Sequence, residues 1–137
     1  MADEHELVIE THIPITFTKA TGDAFEQGAI LKMTNPMTAA LAAADGDICA
    51  GVVHTEITAA EASASVSIYR GGIFRATAGV AGVTIGEAIQ MDANTSPANR
   101  LVDADVNSEQ IVGICMQTAS SGSRFLYELM PRAVDLA

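Results

Sequence analysis

Val66-Ser67-Ile68-Tyr69-Arg70-Gly71-Gly72-Ile73-Phe74-Arg75-Ala76-Thr77 is the densest strand signal in the chain. Its β-branched and aromatic residues alternate with smaller or polar ones around the glycine pair, a pattern that predicts two antiparallel strands joined by a tight turn, or one strand with a bulge. On either side the chain repeats itself. Gly28-Ala29-Ile30-Leu31-Lys32-Met33 is echoed by Gly86-Glu87-Ala88-Ile89-Gln90-Met91, and Ile48-Cys49-Ala50-Gly51-Val52-Val53 by Gln110-Ile111-Val112-Gly113-Ile114-Cys115. The central stretch therefore reads as the hinge between two half-copies.

Outward from this centre the same grammar continues. Residues 37–44, boxed between Asn35-Pro36 and Asp45-Gly46-Asp47, read as the second strand of a hairpin, and residues 48–55 as a buried strand with Gly51 at a close backbone approach. Thr58-Ala59-Ala60-Glu61 has capping-box spacing for one helical turn. Residues 100–102 read as a short strand, and residues 110–118 and 124–130 as a closing hairpin that Pro131 ends. Near the start, Ile13, Ile15 and Phe17 alternate with Pro14, Thr16 and Thr18, which predicts an edge strand or extended arm. The expectation is an all-β chain: a small barrel or sandwich of short antiparallel strands in two pseudo-repeated halves, with residues 1–18 as an N-terminal arm and 19–137 as a single domain.

Composition bounds the function. Of 137 residues, 17 are acidic and 7 basic, and the formal charge of −10 disfavours nucleic acid and anionic membrane, both of which reward clustered Lys and Arg. No run approaches the roughly 18 apolar residues of a membrane span. The acidic Asp3-Glu4-His5-Glu6 is the opposite of a signal peptide's basic n-region, so the chain is expected to stay in the cytosol where it is made. Half the residues are apolar, but many are alanine and only 4% are aromatic. So lean a core favours completion by oligomerisation.

Chemistry is sparse. There is no nucleophile elbow, no dinucleotide or phosphate loop, and no zinc spacing among His5, His12 and His54. Cys49 and Cys115 are expected as reduced, buried thiols; paired with His54, either would be the nucleophile of a cysteine-dependent enzyme. Asp45 with Asp47, and Asp103 with Asp105, fall at matching places in the two halves. They are candidates for Ca²⁺ in a ligand-binding barrel, or plain turn formers. Asn94-Thr95-Ser96 reads as loop. Arg70 and Arg75 flank the central glycines in an acidic chain and are candidates for pairing with acids of another subunit.

Taken in order, residues 28–33, the Ala44-Asp45-Gly46-Asp47-Ile48-Cys49-Ala50-Gly51-Val52 turn and strand, the central residues 66–76, residues 86–91, residues 110–114 and the final hairpin resemble the small capsid decoration, or cement, proteins of tailed viruses of bacteria and archaea. The resemblance implies a compact β-barrel, usually a homotrimer, assembled in the host cytoplasm. It would sit on the outer surface of an icosahedral capsid and bridge neighbouring major capsid subunits, with no catalytic residue, metal or cofactor. Its partners would be the major capsid protein and copies of itself. The chain departs from that pattern in its long acidic N-terminal section. Leu7, Ile9, Ile13, Ile15 and Phe17 of that section are the candidate capsid contacts, added as a strand to a neighbouring sheet. A ligand- or Ca-binding barrel and a cysteine-dependent enzyme are the alternatives.

Overall fold

A computed structural model describes residues 3–19, 24–58, 65–93, 99–104 and 110–133. Among them the β-branched and alternating segments all form strands, and no helix occurs. Five close a barrel: β2 (Ile15–Lys19), β3 (Ile30–Asn35), β4 (Thr38–Leu41), β5 (Cys49–Val53) and β6 (Ser65–Tyr69), in the order β2-β4-β3-β5-β6. The β2–β4 pair is parallel and the other pairs are antiparallel. The other six, β1 (Glu6–Ile9), β7 (Gly72–Thr77), β8 (Ala88–Met91), β9 (Leu101–Asp103), β10 (Gln110–Cys115) and β11 (Arg124–Ala133), form an antiparallel sheet in the order β1-β7-β11-β10-β8-β9.

Apart from β1, the two sheets are one plan used twice: β4-β3-β5-β6-β2 in the first half, β9-β8-β10-β11-β7 in the second. The register repeats residue for residue. Leu31 faces Gly51 as Ile89 faces Gly113, and Met33 faces Ala39 as Met91 faces Leu101. Phe17 faces Val66 as Ala76 faces Phe125. Lys19 meets Ala39 in parallel, and a single parallel bridge joins Ala78 to Leu101, drawing the second sheet toward the closure that the first completes. The Phe25–Ile57 bridge recurs as Val83–Ala119. At Gly51 and Gly113 the close approach also repeats, because a Cβ on either would fall on a carbonyl oxygen of the next strand, that of Tyr69 or of Glu128. These two positions require glycine in both copies.

Inside the barrel lie Phe17, Phe25, Leu31, Val53, Val66 and Ile68, all buried. The second cluster gathers Phe74, Ile89, Met91, Phe125, Tyr127 and Leu129 with Ile30, Val52 and Tyr69. Ile30, Val52 and Tyr69 stand opposite one another across β3, β5 and β6, so one face of the barrel is packed against the second sheet. Full burial of each large apolar side chain contributes about 1.5–3 kcal/mol, which is how an alanine-rich chain with few aromatics still assembles a core.

Three expectations are corrected. The strands flanking Gly71-Gly72 are not a hairpin: β6 belongs to the barrel and β7 to the second sheet, so the chain crosses between sheets there. Pro131 does not end β11, which runs on to Ala133; Pro131 lies where the β10–β11 register shifts, at the kind of irregularity that tolerates a missing N–H. Asp103 does not match Asp45 or Asp47, since it closes β9 opposite Ile89, the register position that Leu41 holds opposite Leu31. Most of the proposed helical turn at 58–61, the loop at 94–98 and Asp105 lie outside the described residues.

The alternation around Pro14 predicts an edge strand or an extended arm; the segment is extended, β1 stands at the edge of its sheet, and both of its strands are paired. β1 adds to β7, and β2 is a stave of the barrel.

Candidate docking surface

The N-terminal segment is fastened by charge and by a buried polar cluster. Asp3 accepts from Arg100 Nε at 2.9 Å, and the Glu6 carboxylate lies 3.7 Å from Arg75 and 3.9 Å from Arg124. Arg124 also donates to the Glu4 carbonyl at 3.1 Å and to the Thr77 hydroxyl at 3.0 Å. Between these ties the His5 side chain is buried, with its backbone N–H donating to the Gly28 carbonyl at 2.7 Å. Its Nε2 lies 2.7 Å from the Asn99 carbonyl, and its Nδ1 lies 2.5 Å from the Tyr127 hydroxyl. A carbonyl only accepts, so Nε2 carries the proton and Nδ1 accepts from Tyr127. Asn99 Oδ1 in turn accepts the Ile30 N–H at 3.2 Å. One histidine thus ties β1 to the barrel and to β11.

Burial holds His5 neutral, pushing its pKa from 6.5 down to about 4; the Asn99 carbonyl opposes that shift, Arg124 adds to it, and Asp3 opposes it. Burial likewise pushes the Tyr127 hydroxyl well above its usual value.

With the segment held down, its apolar side chains divide. Phe17 is 1% exposed inside the barrel, and Leu7 packs against the second core cluster opposite Phe74. Ile9 is 52% exposed, Ile13 78% and Ile15 37%, with Val8 exposed beside them. The five candidate capsid contacts therefore separate into two that are spent on the core and three that, like Val8, are exposed within one short stretch of chain. The loop between β1 and β2 lies over the crossing point: the His12 ring occupies the space a Gly71 side chain would need, and Glu10 accepts from the Tyr69 hydroxyl at 2.8 Å. A cleft of about 450 Å³ opens beside this segment, lined by residues that include Glu4, Glu6, Leu7, Gln27, His54 and Tyr69.

Arg70 and Arg75 both find partners in their own chain. Arg70 donates to the Ala50 carbonyl at 2.9 Å and is half-buried; Arg75 makes the exposed contact with Glu6. The acidic turns are internally committed as well. Asp47 accepts the Ala43 and Ala44 N–H groups, each at 2.9 Å, and Asp45 accepts the Ala93 N–H at 2.7 Å. Asp103 takes both the N–H and the hydroxyl of Thr84 at 2.8 Å. Asp47 thus closes its own turn, while Asp45 and Asp103 tie together segments 48 and 19 residues apart. Among the described residues no group of three His, Cys, Asp or Glu is arranged to hold a metal ion.

Cys49 and Cys115 are buried and unbridged. Burial pushes the Cys49 thiol up to about 12 and raises that of Cys115, the direction opposite to a reactive thiolate. His54 sits edge-on to Tyr69 at 5.1 Å, with Nδ1 2.9 Å from the Thr55 hydroxyl. Sequence reasoning missed the buried cluster of His5, Asn99 and Tyr127, whose members lie far apart in the chain. The only local hint was an apolar Leu7-Val8-Ile9 run directly after it.

No protein-family model matches the chain, and no curated protein does. A solved structure, the head fiber gp8.5 N base of bacteriophage phi29, is similar to it in fold, with a TM-score of 0.55 and 13% sequence identity over 90% of this chain and 99% of that one.

Proposed function

We propose that the chain is a structural protein of a virus particle, one that attaches to the outer surface of an icosahedral capsid and bridges neighbouring major capsid subunits without catalysis. The observation that carries this reading is the match of nearly the whole chain to the base of a phage head fiber. The segment order read from the sequence points to the same class of protein independently.

The exposed apolar stretch of Val8, Ile9, Ile13 and Ile15 is the capsid contact in this reading. An acidic chain gains little by exposing four large apolar side chains within eight residues unless a partner covers them. Their anchoring to both sheets keeps them ordered before docking, so little entropy is lost on binding. The chain is proposed to work as a homo-oligomer, a trimer by the resemblance, so that weak contacts around one axis add through avidity. Arg75 is the better of the two interface candidates. Its exposed pair with Glu6 is worth at most about 1 kcal/mol, so exchanging it for an acid of another subunit costs little.

The test is cosedimentation with shells of the cognate major capsid protein. Replacing Ile9 and Ile13 together by Asp is expected to change the thermal midpoint little, because both side chains are more than half exposed, and to abolish attachment. Undiminished attachment would reject the stretch as the anchor.

A further inference from the structure

The internal duplication exposes a second surface. At the start of β3, the Gly28 N–H donates to the Val53 carbonyl, Val53 N–H to the Ala29 carbonyl, Ala29 N–H to the Glu26 carbonyl, and His54 N–H to the Ser67 carbonyl. At the start of β8 the same four bonds recur, from Gly86 to Cys115, Cys115 to Glu87, Glu87 to Thr84, and Met116 to Leu126. Gly28 and Gly86 both have φ of 86°, so the two ends share a backbone down to the turn.

They differ in what lies on them. Gly28 is buried under the extended N-terminal segment: its carbonyl takes the His5 N–H, and a Cβ there would strike the His5 carbonyl and crowd Glu4. Gly86 is exposed, and among the described residues nothing approaches within 4 Å of the same point. The flanking side chains differ as well. Gln27 and His54 beside Gly28 become Ile85 and Met116 beside Gly86, and these are 62% and 42% exposed. The covered site carries polar flanks and the bare one apolar flanks, the reverse of what solvation alone would select.

We infer that the end formed by Ile85, Gly86 and Met116 is a docking site for an extended peptide segment of a partner protein. The twin site supplies the form of the occupant: a strand-like backbone whose N–H meets the glycine carbonyl, as in β-strand addition. Ile85 and Met116 fix one apolar side chain of that segment between them. The exposed Glu87 beside the site and the −10 charge of the chain select a segment with basic flanks. The site stands independently of the virion reading. Within that reading it is the second contact that bridging two subunits requires, distinct from the Ile9, Ile13 and Ile15 stretch.

The test is titration of the ¹⁵N-labelled chain with the blocked peptide acetyl-KTITK-amide, followed by amide shifts and by native mass. Saturable shifts at Gly86, Glu87 and Met116, with Gly28 unmoved and with the response lost in Met116→Asp and Ile85→Asp, support the site. Absence of shifts, or shifts that persist in both variants, overturns it. A native mass that falls in Ile85→Asp while the peptide leaves Gly86 unmoved also overturns it, by making this end a contact between copies of the chain. No shell enters this experiment, so its failure leaves the capsid reading to its own test.

Discussion

A chain lacking residues 1–18 will not fold. The truncation removes β1 and all but the last residue of β2, so the barrel loses the stave that joins β4 to β6 and its interior opens to water. Phe17 alone is worth about 3–5 kcal/mol by comparison with other buried Phe to Ala losses. The truncation also removes His5 and its bonds to Asn99 and Tyr127, each worth about 0.5–1.5 kcal/mol net. A domain of this size has about 5–15 kcal/mol in all. Circular dichroism with a urea titration is the check. The expected result is a chain that aggregates or shows no cooperative transition; a truncated chain that unfolds cooperatively with native strand content would show that the barrel closes without β2.

Acid is expected to loosen the same junction. His5 has a pKa of about 4 in the folded chain and an ordinary value of 6.5, so the unfolded state binds the extra proton. The sign follows: the stabilisation is complete above pH 6.5 and is lost as the pH falls toward 4. Over that window the loss is about 3 kcal/mol, with a slope near the one-proton value of about 1.4 kcal/mol per pH unit. The groups around the ring shape it: the Asn99 carbonyl and Asp3 favour the charged form, while burial and Arg124 oppose it. Urea midpoints between pH 6.5 and 5 measure the slope. His5→Gln, less stable overall, is expected to flatten it, and an unchanged slope in that variant would assign the acid sensitivity to other groups.

The strands were legible because their signals are local. Residues 28–33 and 86–91 repeat one another, and Gly51 and Gly113 stand where each needs to be bare, so both halves of the duplication announce themselves in short words. Partner choice was not legible. A glycine pair between two strand-like runs looks the same whether the strands turn back on each other or part to different sheets, and at Gly71-Gly72 they part. Which faces of the N-terminal segment are buried was not legible for a related reason. Pro14 marks an edge, and alternation then reads Ile13, Ile15 and Phe17 as one face, yet Phe17 is interior and Ile13 is outside because the segment enters the barrel only at Ile15. The ties that hold the segment down, from Asp3 to Arg100 and from His5 to Tyr127, join positions about a hundred residues apart, which no window reveals.

Cryo-electron microscopy of cognate capsid shells saturated with the chain bears most directly on the virion reading. The account predicts added density on the outer surface, lying across the junction between neighbouring capsid subunits, with the edge that carries Ile9, Ile13 and Ile15 turned toward the shell. Shells that stay bare at saturating protein, or density confined to the inner surface, would contradict it.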